Sequence, residues 1–156
     1  HWMWKFHVIH HSDENVDTTT ALRHHPGESV FRAVFTLLAV LVVGAPMWMV
    51  MVYQSFSAFL SQFNHSNVRL PDWFNKTIGR LVITPDMHRV HHHAELPYTD
   101  ANYGNIFPFW DYIFGTYSRL DREKIEYGLD VFDKDHDSIG DLLGLPFDGL
   151  RYRQDK

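Results

Sequence analysis

A chain of 156 residues with no cysteine has room for one domain on one core, and it excludes disulfides, iron–sulfur clusters and thiolate-bound metals. Its 14 basic and 19 acidic side chains give a formal charge of −5, with no basic stripe, so no nucleic-acid partner is expected. The unusual residue is histidine, present twelve times and gathered in tight groups instead of scattered.

The chain opens on His1 with no charged-then-apolar leader, and reads as a segment of a longer protein. In "WMWKFHVIHH" the spacing i, i+3, i+4 puts His7, His10 and His11 on one face of a helix. Residues 12–29 are polar with a Pro-Gly break and read as a connecting segment or short helix. Within it His24 and His25 read as local structure, His25 being held extended by Pro26. From Ala33 to Val68 there is no Lys, Arg, Asp or Glu, and Gly44-Ala45-Pro46 divides the run. One span takes about 20 apolar residues, so this longer, divided run predicts a helical hairpin that enters the bilayer and returns, or two short spans. Phe31, Phe63, Trp73 and Phe74 near its ends suit an interfacial belt. The alternative is a buried soluble hairpin, because Gln54, Ser55, Ser57, Ser61 and Gln62 make the second half less apolar.

Pro71 is expected to start a short amphipathic helix through Trp73, Phe74, Ile78 and Leu81, and Asp86 to cap the helix carrying "MHRVHHH". Residues 119–156 form a charged, soluble tail with His136 in solvent and one short amphipathic helix over Ser138–Leu143. The expected fold is all-α: an integral-membrane helical bundle fragment, with a helical hairpin in the membrane and a histidine-rich cap.

Neutral imidazole is a metal ligand at pH 7. One His-x-x-His-His taken alone reads most simply as a surface helix end. Two copies, with His65 at the end of the uncharged run, point to metal instead. Seven imidazoles (His7, His10, His11, His65, His88, His91, His92) are too many for one ion with an open position, and they suit two. His93 falls one position past the ligating face. Asp13, Glu14, Asp86, Asp100 and Asp111 are candidates to hold the outer imidazole nitrogens.

In order and spacing, "WMWKFHVIHHSDE", "TALRHHPGE", "FNHSNV", "HRVHHH" and "DANYGNIFPFWDYIFGTY" resemble the fatty acid hydroxylase superfamily, also called the sterol desaturase family, of integral-membrane di-iron oxygenases. The resemblance covers residues 1–118. It implies an oxidoreductase that hydroxylates or desaturates a lipid C–H bond, fatty acyl, sterol or related, with two Fe ions as cofactor and dioxygen as co-substrate. It also implies an external electron donor, either a cytochrome b5-like protein or a ferredoxin with its reductase, and no nucleotide-binding glycine pattern follows a strand here. By matching motifs, His7, His10 and His11 form one ligand set, His88, His91 and His92 another, and His65 joins from between. Asn102, Tyr103, Gly104, Trp110 and Asp111, with His93, would shape the site. The implied location is a bacterial inner membrane or the endoplasmic reticulum, with the metals toward the cytoplasm. The family's earlier His-x-x-x-His motif has no counterpart, so part of the metal site is expected outside this segment. The rival readings are a membrane metal-dependent lipid hydrolase or isomerase, a non-catalytic metal-binding relative, and a soluble helical protein with surface histidines.

Overall fold

The computed structural model describes residues 2–129 and 138–147; His1, residues 130–137 with His136, and residues 148–156 lie outside the described residues. Among the described residues the chain is helical, with no strand. Helix α1 (Trp4–His11) carries the first histidine motif.

The hairpin forms where the glycine and proline signals place its turn. Helix α2 (Pro26–Val43) ends at Gly44, whose φ of 68° is left-handed, and the Gly44 N–H closes onto Val40 O at 2.9 Å. Pro46 is extended and precedes helix α3 (Met47–His65). The start of α2 differs from expectation. It lies at Pro26, ahead of the uncharged run, because Pro26 suits the first helical position and His25 caps it, Nδ1 accepting the Gly27 N–H at 2.9 Å. Glu28 and Arg32 are therefore helical, and Glu28 lies in the first turn, where a carboxylate is favoured by the helix dipole.

With 18 and 19 residues, the two helices are about 27 and 28 Å long, close to the roughly 30 Å hydrocarbon core of a bilayer. Helix α2 is long and apolar enough to cross a membrane, and none of its residues is buried. Helix α3 buries only Ser57, Leu60, Asn64 and His65, while Met51, Val52, Phe56 and Phe59 face outward. Polar inside and apolar outside is the reverse of a water-soluble helix, and lipid is the solvent that fits it.

Helix α4 (Asp72–Thr77) and a 3-10 turn at Ile78–Arg80 follow Pro71 as expected. Helix α5 (Pro85–His91) bears the second motif. Its cap residue is Thr84 and not Asp86, because Pro85 takes the first helical position. Asp86 instead accepts from Asn75 Nδ2 at 2.6 Å and faces Arg122 at 3.5 Å. Helices α6 (Phe109–Phe114) and α7 (Ile139–Gly144) are single short turns. Leu145, just past α7, packs on Val8 and Ile9 of α1.

That apolar cluster is small. Seventeen polar or charged residues are buried among the described residues against ten apolar ones, six of the seventeen being histidines shared between α1, α3 and α5. Such an interior needs something other than hydrophobic contact to hold it.

Candidate metal centre

Helix α1 projects His7, His10 and His11; α3 ends on His65; α5 projects His88 and His91, with His92 at its C-terminal cap. The seven side chains converge in two groups. His10, His65, His88 and His92 form a buried four-histidine group, and His7, His11 and His91 a second, with the ligand atoms of each group within 4.8 Å of one another. In the first, His65 Nε2 lies 2.9 Å from His10 Nε2 and 3.0 Å from the Nε2 atoms of His88 and His92. In the second, the Nε2 atoms of His11 and His91 are 3.1 Å apart.

The grouping corrects the expectation that each motif is one ligand set. The i, i+4 pair of α5 (His88, His92) meets the i+3 histidine of α1 (His10), and the i, i+4 pair of α1 (His7, His11) meets the i+3 histidine of α5 (His91). Residues i and i+4 share one stripe of a helix and i+3 lies on the neighbouring stripe. Two helices facing each other therefore exchange their third histidine.

Hydrogen bonds fix several tautomers. His65 Nδ1 donates to Ser61 O at 2.6 Å and His91 Nδ1 to Ala101 O at 2.8 Å, which leaves a bare Nε2 lone pair on each neutral ring. A lone pair on His65 Nε2 can take one N–H, yet three nitrogens stand within 3.0 Å of it. A cation between them satisfies all four. A metal–imidazole bond of about 2.1 Å puts two ligands at right angles about 3 Å apart, the spacing found here. Burial pushes His10, His11, His88 and His92 well below the usual imidazole value, and burial followed by the nearby His7 charge pushes His91 down to about 3. All five rings are thus neutral at pH 7, the form that binds metal. The Nδ1 atoms of His10, His11, His88 and His92 are buried and make no hydrogen bond among the described residues.

The other expected residues surround this centre. His93 is buried and faces away from it, Nδ1 accepting the Glu126 N–H at 3.0 Å and its carbonyl accepting from Thr99 Oγ1. Asn102, at a φ of 50°, donates from Nδ2 to Met87 O and Ser118 O, both at 2.9 Å, which ties its loop to α5 beside His88. The Tyr103 ring stands 5.5 Å from His91. Asp111 is buried and accepts from the N–H groups of Tyr103 and Gly104 at 2.8 and 3.0 Å, and from Thr116 Oγ1 at 2.7 Å. Trp110 is half exposed and lines a 460 Å³ cavity beside Tyr103 and Gly104.

A Cβ on Gly104 would lie 2.6 Å from Phe107 O, a backbone atom with little freedom to move. Gly104→Ala is expected to cost about 1–3 kcal/mol, the usual range for overpacking, and to lower the thermal midpoint of the detergent-solubilised protein. An unchanged midpoint would show the loop to be more pliant than this packing implies.

Among the described residues none of the five carboxylates expected beside the imidazoles hydrogen-bonds to one: Asp13 accepts from Thr20, Glu14 is exposed, Asp86 accepts from Asn75, Asp100 from the Tyr103 hydroxyl, and Asp111 caps its loop. The carboxylate that does is Glu28, whose Oε2 lies 3.1 Å from His7 Nδ1 and 3.2 Å from His24 Nδ1. His24 also stacks on His10 at 4.9 Å. The signal that could have found them is "HHPGE", an i, i+4 pair once a helix is taken to start at Pro26.

The chain is 28% identical over 115 residues to the ornithine lipid hydroxylase OlsE of Rhizobium tropici, covering 74% of this chain and 34% of that protein. It is 32% identical over 130 residues to the alkylglycerol monooxygenases of Caenorhabditis elegans and Homo sapiens, covering 82% and 81% of this chain and 25% and 27% of those proteins. The chain thus spans about a quarter to a third of the curated relatives it matches. No solved structure matches it. The model of the fatty acid hydroxylase family matches residues 1–116, which takes in both histidine motifs, His65 and the Asp111 loop: the chain belongs to the fatty acid hydroxylase family.

Proposed function

We propose that the protein containing this chain is an iron- and dioxygen-dependent lipid hydroxylase or desaturase of the membrane. The observation that carries the reading is the reciprocal grouping of seven histidines into a set of four and a set of three. Names of relatives support the same chemistry: a lipid hydroxylase and two alkylglycerol monooxygenases.

In this reading His10, His65, His88 and His92 hold one iron, and His7, His11 and His91 the other. Iron held there would supply dioxygen activation: O2 with two electrons from a donor and two protons would convert one lipid C–H bond to an alcohol and water, or two neighbouring C–H bonds to an alkene and two waters. The chain's own residues give that chemistry its place. Helix α2 starts beside α1, and α3 ends against α5, so both open ends of the hairpin meet the histidines and the Gly44 turn lies at the far end. With the apolar faces of α2 and α3 in lipid, the centre sits at the membrane surface, where an acyl chain or lipid headgroup can reach it. Trp4, with its ring 4.8 Å from His11, and Tyr103, beside His91, pack against the three-histidine group. His93, Asn102, Gly104 and Asp111 hold the surrounding loop, and Trp110 lines its cavity.

In this reading residues 1–118 are the part of the hydroxylase domain present here and supply these seven ligands, the family's earlier His-x-x-x-His motif lies outside this segment, and 119–156 is a charged tail. The electron donor is a cytochrome b5-like protein or a ferredoxin with its reductase. It docks on the cytoplasmic face of a bacterial inner membrane or of the endoplasmic reticulum.

The test is metal content of the intact protein, purified in detergent, beside His91→Ala. Close to two irons per chain, largely lost in the variant, is the expected result. One zinc, or metal indifferent to His91, would instead favour a hydrolase or a metal-binding relative without oxygen chemistry.

A further inference from the structure

We propose that Glu28 is the positioning residue of the three-histidine group: from the first turn of the membrane helix α2, its carboxylate fixes the orientation and the proton of His7. The proposal rests on the metal-binding reading above. Among the described residues Glu28 is the one carboxylate in contact with any of the seven histidines. An ionised carboxylate only accepts hydrogen bonds, so His7 Nδ1, 3.1 Å away, carries the proton and His7 Nε2 keeps its lone pair. A carboxylate behind a ligating imidazole locks its ring and raises its basicity.

His7 is also the ligand most in need of a tether. Its side chain is 29% exposed, whereas the other six candidate ligands are buried. His65 and His91 have backbone carbonyls behind them, and His10, His11, His88 and His92 are walled in by their neighbours. The sequence builds the tether deliberately: Pro26 and the His25 cap set the start of α2, which puts Glu28 in its first turn. His24 holds the same Oε2 at 3.2 Å from the other side, and its ring lies 13° from parallel with His10. One carboxylate oxygen therefore links the membrane helix to the metal centre. The rival arrangement is a third ion among His7, His24 and Glu28, whose donor atoms also lie within 4.8 Å of one another. The two hydrogen bonds already use those donor atoms, so positioning is the better account.

The experiment loads the full-length protein in detergent with Fe(II) under anaerobic conditions. It measures iron per chain and the rate of iron loss to excess chelator for wild type, Glu28→Gln, Glu28→Asp and Asp13→Asn. One of the two irons is expected to leave Glu28→Gln roughly 10- to 100-fold faster, the usual consequence of losing an outer-sphere partner, while the other leaves at the wild-type rate. Asp13→Asn, whose carboxylate contacts Thr20 and no histidine, is expected to match wild type. A purely structural role at the start of α2 would speed the loss of both irons alike, and that result overturns the proposal. So does wild-type retention of both irons in Glu28→Gln, or three irons in wild type falling to two. Should Glu28→Gln not remain monodisperse, Glu28→Asp decides, because it keeps the charge and is too short to reach His7: faster loss of one iron supports the proposal and wild-type loss overturns it. A wild type that binds no iron sinks the metal reading itself, which separates the two failures.

Discussion

His65→Ala is expected to empty the four-histidine group and to lower lipid oxidation by about 10³-fold or more, because the oxidation has no route without its metal. Three features concentrate the effect at this residue. Its Nε2 stands 2.9–3.0 Å from the Nε2 atoms of His10, His88 and His92, so it is the hub of the group. It is the one member of the group supplied by the membrane hairpin. Its Nδ1–H is held by Ser61 O, so the lone pair is aimed before any metal arrives. Iron analysis checks the first step: no more than one iron per chain should remain, held by His7, His11 and His91. Two irons in the variant would mean that His65 is a bystander. His65→Gln is a useful companion, since it fills most of the space and loses the aromatic nitrogen.

The second large effect is expected at Arg89, which binds nothing in the proposed reaction. Arg89 is 4% exposed. Its Nη2 donates to Ser66 O at 2.9 Å and to Asn67 Oδ1 at 2.5 Å, and its Nη1 donates to the Tyr127 hydroxyl at 2.6 Å. Thus one guanidinium of α5 grips the residues just after His65 and the segment that follows the Asp111 loop. Arg89→Leu removes charge-assisted bonds and leaves the buried Ser66 carbonyl without its partner, a loss of about 1–3 kcal/mol. The thermal midpoint in detergent should fall by several degrees. Iron content should fall with it, because the end of α3 is no longer pinned against His88 and His92. Tyr127→Phe removes only one of the bonds and is expected to cost about 1 kcal/mol. An Arg89→Leu protein as stable and as iron-rich as wild type would show that packing alone seats α3.

Much of this was legible in the chain itself. The helical spacing of His7, His10, His11 and of His88, His91, His92 needs only a period of 3.6 residues, and Gly44 with Pro46 marks the hairpin turn without ambiguity. The division of ligands was not legible, because periodicity says which stripe a residue occupies and not which stripe of another helix it meets. Asp13, Asp86, Asp100 and Asp111 misled for a related reason. Closeness in sequence to a histidine brings a carboxylate near the loop and not near the ring, and local N–H and O–H donors claim it first. Glu28 was hidden by a boundary: while residues up to 29 read as a connector, nothing aimed its side chain, and once α2 begins at Pro26 the first turn does.

The exchange of histidines between α1 and α5 has a consequence for assembly. Each helix contributes to both groups, so drawing the two helices apart unmakes both, and an ion in either group holds them together. The first ion to bind bears the entropic cost of bringing the helices into register. In the proposed reading the second then meets ligands already ordered. In the proposed reading both sites are therefore built in one step of folding, when the histidine faces of α1 and α5 seat against each other at the open end of the hairpin, and afterwards each holds or loses its own ion.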